Sequence, residues 1–239
     1  MSTSFENRKV VIAGGSSGIG LATAKLLAKE KAAVTITGRS ADRLEAATRE
    51  VEGLQSAVLD SCNRAAIDSF FAGYGPVDHL VVALSGAKGG GLFADLSLDE
   101  LREGFEGKFW PQLNTIQAAL PYLQKNGSIT LISAISSVAA LPGTSGLAAI
   151  NGALELMVPG IAKEIQPLRI NAVSPGVVDT PWWDFLPEAA RKEAFGQFAS
   201  QTAVGRVGQP EEVADAIVFL MRNGNITGTV IRCDGGLHL

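Results

Sequence analysis

Short runs rich in Val, Ile and Leu recur along this chain, at 9–13, 33–37, 56–59, 79–84, 128–133, 169–173 and 229–233, and none shows the apolar–polar alternation of a strand with one wet face. A strand without alternation is covered on both sides. Between the runs lie segments with helical spacing, at 21–30, 41–51, 64–71, 98–123, 146–165 and 211–221. Strand alternating with helix through right-handed crossovers predicts an α/β fold, a doubly wound parallel sheet of about seven strands with helices on both faces. In such a sheet ligands bind at the carboxyl ends of the strands.

The chain of 239 residues carries no internal repeat, low-complexity tract or linker, so residues 1–239 are expected to form one domain. A net charge of −4, from 20 basic and 24 acidic residues, supplies no basic stripe and argues against nucleic acid and against a membrane surface as partners. Residues 126–154 are uncharged, but Pro142 and several glycines interrupt them, which favours a buried strand and helix over a membrane span. The two cysteines, Cys62 and Cys233, suggest neither a disulfide framework nor a metal motif, and the stretch 1–8 is polar, so the expected location is cytoplasmic. Residues 180–206, with Pro181, Trp182, Trp183, Phe185 and Pro187, break the rhythm. They read as a lid over the crevice, or as a small packed helical excursion.

The first apolar run ends in Ala13-Gly14-Gly15-Ser16-Ser17-Gly18-Ile19-Gly20, after which a helical segment opens. Gly14 permits a tight turn, Gly18 lets backbone approach a pyrophosphate and Gly20 allows close helix packing, while free N–H groups and the helix dipole attract the anion. No Gly-Lys-Ser/Thr follows, which excludes a Walker loop. In this setting Gly14, Ser16, Ser17, Gly18, Ile19 and Gly20 read as a dinucleotide site rather than a structural turn. The second run ends Thr37-Gly38-Arg39-Ser40, where an NAD site would place a carboxylate for the ribose 2′-hydroxyl. Arg39 offers instead a planar, permanently charged fork for a 2′-phosphate, and Ser40 adds a hydroxyl while capping the next helix. The expected cofactor is NADP(H); the competing reading of Arg39 is a solvated surface side chain.

Further motifs are Asp60 after the third run, Asn171-Ala172-Val173-Ser174-Pro175-Gly176, the stretch Val177 to Thr180, Gln209-Pro210-Glu211-Glu212-Val213-Ala214 and Asp234-Gly235-Gly236. With Ala13 to Gly20, these resemble the short-chain dehydrogenase/reductase family from about Lys9 to the end, with Ala13 for the family's leading Thr. The resemblance implies a Rossmann fold and places Asp60, with Ser61, on the adenine. It places Ala83, Ser85 and Gly86 beside the cofactor, and Pro175, Gly176, Val178 and Thr180 beneath the nicotinamide and its carboxamide. It also implies a homodimer or homotetramer through 98–123 and 146–165.

The catalytic positions depart from the family. Its Tyr-x-x-x-Lys pair falls on Leu147 and Asn151, its serine on Ala134 with Ser133 and Ser136 close by, and its helix asparagine on Lys108. The chain's two tyrosines, Tyr74 and Tyr122, stand in a turn before the fourth strand and at the far end of a long helix, so neither is placed to substitute. Losing the general acid removes an effect of roughly 10²–10⁴-fold, but hydride transfer needs only a positioned nicotinamide and an electrophile. Lys108, among Phe105, Phe109, Trp110 and Leu113, reads either as a proton donor of lowered pKa that restores the charge lost at Asn151, or as a lysine whose ammonium reaches water. The candidate catalytic residues are Lys108, Ser133 and Asn151, with no metal.

Two functions fit these residues. One is an NADP(H)-dependent oxidoreductase reducing a small-molecule carbonyl or imine-type substrate under Trp182, Trp183 and Phe185. The other is an NADP(H)-binding protein without hydride transfer, serving as a sensor, an assembly subunit or a non-redox catalyst. The sequence Ala83-Leu84-Ser85-Gly86 lacks the family's asparagines, whose side chains brace the central sheet. Ala87-Lys88-Gly89-Gly90-Gly91 reads as a flexible loop, with Lys88 either solvated or touching substrate. His79 reads as structural, and His238 as reaching a neighbouring subunit's site or as disordered.

Overall fold

The computed structural model describes residues 4–239; Met1, Ser2 and Thr3 of the polar N-terminal stretch lie outside the described residues. The strands are β1 (Lys9–Ala13), β2 (Ala33–Gly38), β3 (Gln55–Val58), β4 (Val77–Val82), β5 (Leu123–Ile132), β6 (Arg169–Pro175) and β7 (Val230–Cys233). They pair in the order β3-β2-β1-β4-β5-β6-β7, each neighbour parallel. The order reverses between β1 and β4, and the crevice of a doubly wound sheet opens at that reversal.

The helices are α1 (Gly18–Lys29), α2 (Ala41–Glu50), α3 (Arg64–Tyr74), α4 (Leu98–Gly104), α5 (Trp110–Ala119), α6 (Ser145–Glu164), α7 (Glu188–Gln201) and α8 (Pro210–Arg222). Strand residues alternate between two cores. Val10 and Ile12 pack with Leu27 of α1, Leu44 of α2 and Ile217 of α8, while Val11 and Ala13 pack with Phe71 of α3, Ile116 of α5 and Leu154 of α6. Apolar residues on both faces of the central strands follow, because both faces are covered there. By length and composition α6 is apolar enough to cross a bilayer. Here it packs on the sheet through the buried Ile150, Leu154 and Val158.

The expected helix over 98–123 runs without a gap from Leu98 to Ala119 but is not uniformly α. Between α4 and α5 a π turn spans Phe105–Phe109, and after α5 a 3-10 turn at Leu120–Tyr122 leads into β5, which starts earlier than the apolar run suggests. Pro111 lacks the N–H that would have bonded back to Gly107, and Pro121 prevents continuation into the strand. The stretch 180–206 holds a 3-10 turn at Pro181–Trp183 and the whole of α7, which buries none of its residues.

Two buried ionisable side chains of the sheet, one a cation and one neutral, are structural. Arg169, at the start of β6, donates through Nη1 to the Leu220 carbonyl (2.8 Å) and through Nη2 to the Met221 carbonyl (2.7 Å), and its Nη1 reaches the Ile226 carbonyl as well (3.2 Å). His79 sits opposite Ser128 across β4 and β5, its Nδ1 2.8 Å from the Ser128 hydroxyl, against the edge of Phe5. Burial holds its pKa down to about 4, so it stays neutral.

The pH dependence of that imidazole has a definite sign. The unfolded chain binds its proton near 6.5 and the folded chain only near 4, so stability is lost as pH falls between those values. The loss from this group is on the order of 3 kcal/mol at the acid end. Urea denaturation from pH 7 to pH 4 is expected to give a shallower pH slope for His79→Gln than for the wild type; equal slopes would refute the assignment.

Candidate active site

The turn after β1 lies flush against the end of β4. Gly14 has a φ of +81° and a Cβ there would meet the Ala83 carbonyl oxygen at 2.6 Å, while one on Gly20 would meet the Gly14 carbonyl oxygen at 2.2 Å. Only bare backbone fits at either position. The N-termini of α2, α3 and α4 are each closed by a side-chain oxygen, from Ser40, Asn63 and Ser97. At α1 the N-cap Ser17 makes no such bond and the first turn holds no acid, so its leading N–H groups and the positive end of its dipole stay available to an anion.

This turn forms one wall of a cavity of about 460 Å³. The structure brings together in its lining Gly14, Ser17, Gly18, Ile19, Gly20, Ala83, Ser85, Gly86, Pro175, Gly176, Val178 and Thr180, with Lys108, Ser133 and Asn151. Ser16, Arg39, Ser40, Asp60 and Ser61 do not line it. The Ser16 hydroxyl lies beside Gly38, Ser40 accepts the Arg43 N–H (3.3 Å), Asp60 accepts the Cys62 N–H (3.0 Å), and Ser61 is buried. Arg39 is exposed at the end of β2 and makes no ion pair among the described residues. Arg43, in the first turn of α2, reaches the cavity lining and was not singled out from sequence; its spacing from Arg39 was the available signal.

Lys108 stands in the π turn, a rare element that often marks a functional position. Its ammonium does not extend into water. The residue is 8% exposed, lines the cavity, and donates from Nζ to the Ser133 carbonyl at 3.1 Å. Burial drives its pKa down to about 8, against the opposing pull of the Glu155 carboxylate. The Ser133 hydroxyl donates to Glu155 Oε1 at 2.6 Å, and the hydroxyls of Ser137 and Ser174 reach the same oxygen at 2.7 Å each. Sequence reasoning passed over Glu155, whose signal was a carboxylate inside the apolar run of α6.

Asn151 donates from Nδ2 to the Ser136 hydroxyl oxygen (3.1 Å) and to the Leu147 carbonyl (2.9 Å), which leaves its buried Oδ1 without a partner. Ser136 accepts that bond, keeps its own proton to donate, and lines the cavity beside Leu147. Tyr74 pairs with Thr35 (3.0 Å) and Tyr122 stacks near Phe71, so neither tyrosine reaches the cavity. Gln112 spans the ends of β4 and β5, donating to the carbonyls of Leu84 (3.1 Å) and Ile132 (3.0 Å). It thereby provides a side-chain brace where Ala83-Leu84-Ser85-Gly86 offers none.

Trp182, Trp183 and Phe198 close another side. Trp183 donates its indole N–H to the Val178 carbonyl (3.1 Å) and packs edge-on against Phe195 of α7, while Phe185 is largely exposed and does not line the cavity. The loop 87–91 makes contacts at both of its ends. The Gly91 N–H donates to the Gly143 carbonyl (2.9 Å), and Lys88 pairs with Glu100 (3.2 Å) and Glu103 (3.5 Å). His238 pairs within its own chain, its Nδ1 2.7 Å from Asp234.

Residues 13–238 match the family model described as enoyl-(acyl carrier protein) reductase. Across 98% of each chain the protein is 34% identical to the 3-oxoacyl-(acyl-carrier-protein) reductase FabG of Thermotoga maritima. The chain belongs to the short-chain dehydrogenase/reductase family. Among solved structures of the short-chain dehydrogenases it is similar to a small-chain dehydrogenase in complex with NADPH, with 30% identity and a TM-score of 0.85, covering 98% of this chain and 99% of that one. It is also similar to a short chain oxidoreductase from Pseudomonas aeruginosa PAO1 containing an atypical catalytic center, with 28% identity and a TM-score of 0.89, covering 98% of both.

The buried ammonium weighs on stability. The unfolded chain holds the Lys108 proton up to about 10.5 and the folded chain only to about 8, so stability rises across that interval and the full penalty applies below it. That penalty is on the order of 3 kcal/mol. Lys108→Met is therefore expected to raise the unfolding free energy at pH 7, read by urea denaturation; a less stable variant would show that the ammonium is not penalised.

Proposed function

We propose that this chain is an NADP(H)-dependent oxidoreductase that reduces a small carbonyl or imine-type compound, with Lys108 as proton source where the family uses a tyrosine. The observation that carries this reading is the Lys108 ammonium, buried in the cavity lining with a pKa near neutrality and only a main-chain carbonyl to hold it. The open N-terminus of α1 and the bare backbone at Gly14 and Gly20 fit a pyrophosphate. Arg39, with Arg43 beyond it, fits a 2′-phosphate, Asp60 and Ser61 the adenine, and the unpartnered Asn151 Oδ1 a ribose hydroxyl. When bound, NADPH supplies the hydride.

In this reading Leu147, Asn151, Ala134 and Lys108 stand at the four positions of the usual tetrad. Lys108 Nζ gives a proton to the substrate oxygen or nitrogen as negative charge develops there. The Ser133 hydroxyl is engaged in its hydrogen bond to Glu155, so Ser136 is the hydroxyl left to polarise that atom. Trp182, Trp183 and Phe198 form the apolar wall of a lid spanning about 180–206 that keeps water from the reacting centre. The exposed Leu156 and Met157 of α6 and Trp110 of α5 support a homodimer or homotetramer through these helices. The free thiols of Cys62 and Cys233 support a cytoplasmic location.

The second reading is cofactor binding without hydride transfer, and it is favoured by Leu147 in the cavity wall, since a hydrocarbon donates no proton. Turnover separates the two. With NADPH and a panel of ketones, quinones and imines, followed at the nicotinamide absorbance, the wild type is expected to oxidise the cofactor. Lys108→Met is expected to lower kcat by roughly 10²–10⁴-fold with the NADPH Kd unchanged. Tight NADPH binding with no oxidation across the panel would favour the second reading. By calorimetry Arg39→Ala is expected to weaken NADPH about tenfold and to leave NADH unchanged; an equal loss for both would remove the 2′-phosphate assignment.

A further inference from the structure

We infer that Glu155 is a positioning residue for Lys108: its carboxylate fixes the strand-end carbonyl that holds the ammonium, and supplies the ammonium's counter-charge. This inference rests on Lys108 being the proton donor proposed above. Glu155 lies on α6 between Leu154, which is buried, and Leu156, which is exposed. A carboxylate turned inward there needs several donors to remain ionised. Those donors come from three separate segments: Ser133 after β5, Ser137 in the 3-10 turn Ile135–Ser137, and Ser174 in β6.

All three bonds converge on Oε1, so each hydroxyl is a donor and its orientation is fixed. Ser133 is the shared member. Its side chain is held by Glu155, its N–H donates to the Val173 carbonyl (3.0 Å), and its own carbonyl accepts the Lys108 ammonium (3.1 Å). A shift of Glu155 would therefore move the one group that hydrogen-bonds Lys108 among the described residues. No other charge competes for that ammonium. On its own turn Glu106 is exposed, Glu103 of α4 pairs with Lys88, and α5 carries no charged residue. Lys163 and Glu164 stand at the far end of α6, and burial and Glu155 are the influences on Lys108.

The test reads Lys108 directly, apart from turnover. In full-length protein with ¹³C-labelled lysine, the Lys108 side-chain signal is assigned by its loss in Lys108→Met and followed against pH. Glu155→Gln keeps shape and an acceptor but removes the charge, and is expected to lower the Lys108 midpoint by about one pH unit or more. The alkaline limb of the kcat profile is expected to move down with it while KM stays unchanged. Ser137→Ala, which keeps the charge, is expected to leave the midpoint near that of the wild type.

Should Glu155→Gln not fold, Glu155→Asp tests the same contact: the charge withdraws from Ser133, and both midpoint and kcat are expected to fall. An unmoved Lys108 midpoint in the folded Glu155 variant, with Lys108→Met inactive, overturns the inference and leaves the proton donor standing. A lowered midpoint with Lys108→Met fully active upholds the coupling of the two side chains and overturns the proton donor instead.

Discussion

Sealing a parallel sheet on both faces leaves polar chemistry a single outlet, the carboxyl edge of the strands. The central strands β1, β4, β5 and β6 give their buried residues to one of two apolar cores, so groups that must meet a ligand stand where those strands end. The strand order reverses between β1 and β4, and there the backbone of Gly14 presses against Ala83, and that of Gly20 against Gly14, with no room for a methyl group. That contact makes the floor of the cavity out of main chain. Its walls come from the connections leaving β4, β5 and β6, which begin at Ala83, Ser133 and Gly176.

Within this frame the cavity holds an arrangement at odds with simple stability. A lysine ammonium is drawn out of water and given one carbonyl and a nearby carboxylate, which compensates desolvation only in part, since its pKa still falls to about 8. Uncompensated charge of this kind collects where a protein does chemistry. Asn151 repeats the pattern in neutral form: both its donor bonds are met, and its acceptor is buried and idle.

The sheet and its cofactor edge were legible in the sequence because their signals are local. Unalternated Val, Ile and Leu runs report two-sided burial directly, and the glycines from 14 to 20 are tied to backbone geometry within one turn. Residues that act across the fold were not legible. Glu155 gains its meaning from serines on three other segments, and Gln112 from carbonyls on two strands, contacts that only tertiary packing creates. Lys108 fell between these cases. Its apolar neighbours along the chain were visible, but the π turn that delivers its Nζ to Ser133 was hidden inside a segment that spacing alone presented as one long helix. In the stretch 180–206 the prolines and tryptophans left lid and helical excursion both open, and residues 188–201 form a helix that buries none of its residues.

Arg169 carries a different lesson. Its fork reaches the closing carbonyls of α8 at Leu220 and Met221 and the connection at Ile226, joining the head of β6 to the tail of the final helix. The negative end of that helix is thus stoppered by a flat, delocalised cation instead of solvent. A lysine would bring the same charge without the two-pronged geometry, so the joint is specified by shape as much as by sign. Mutational tolerance around this seam should therefore be lopsided: oily residues of α8 can exchange for one another, whereas the arginine has no substitute among the coded amino acids.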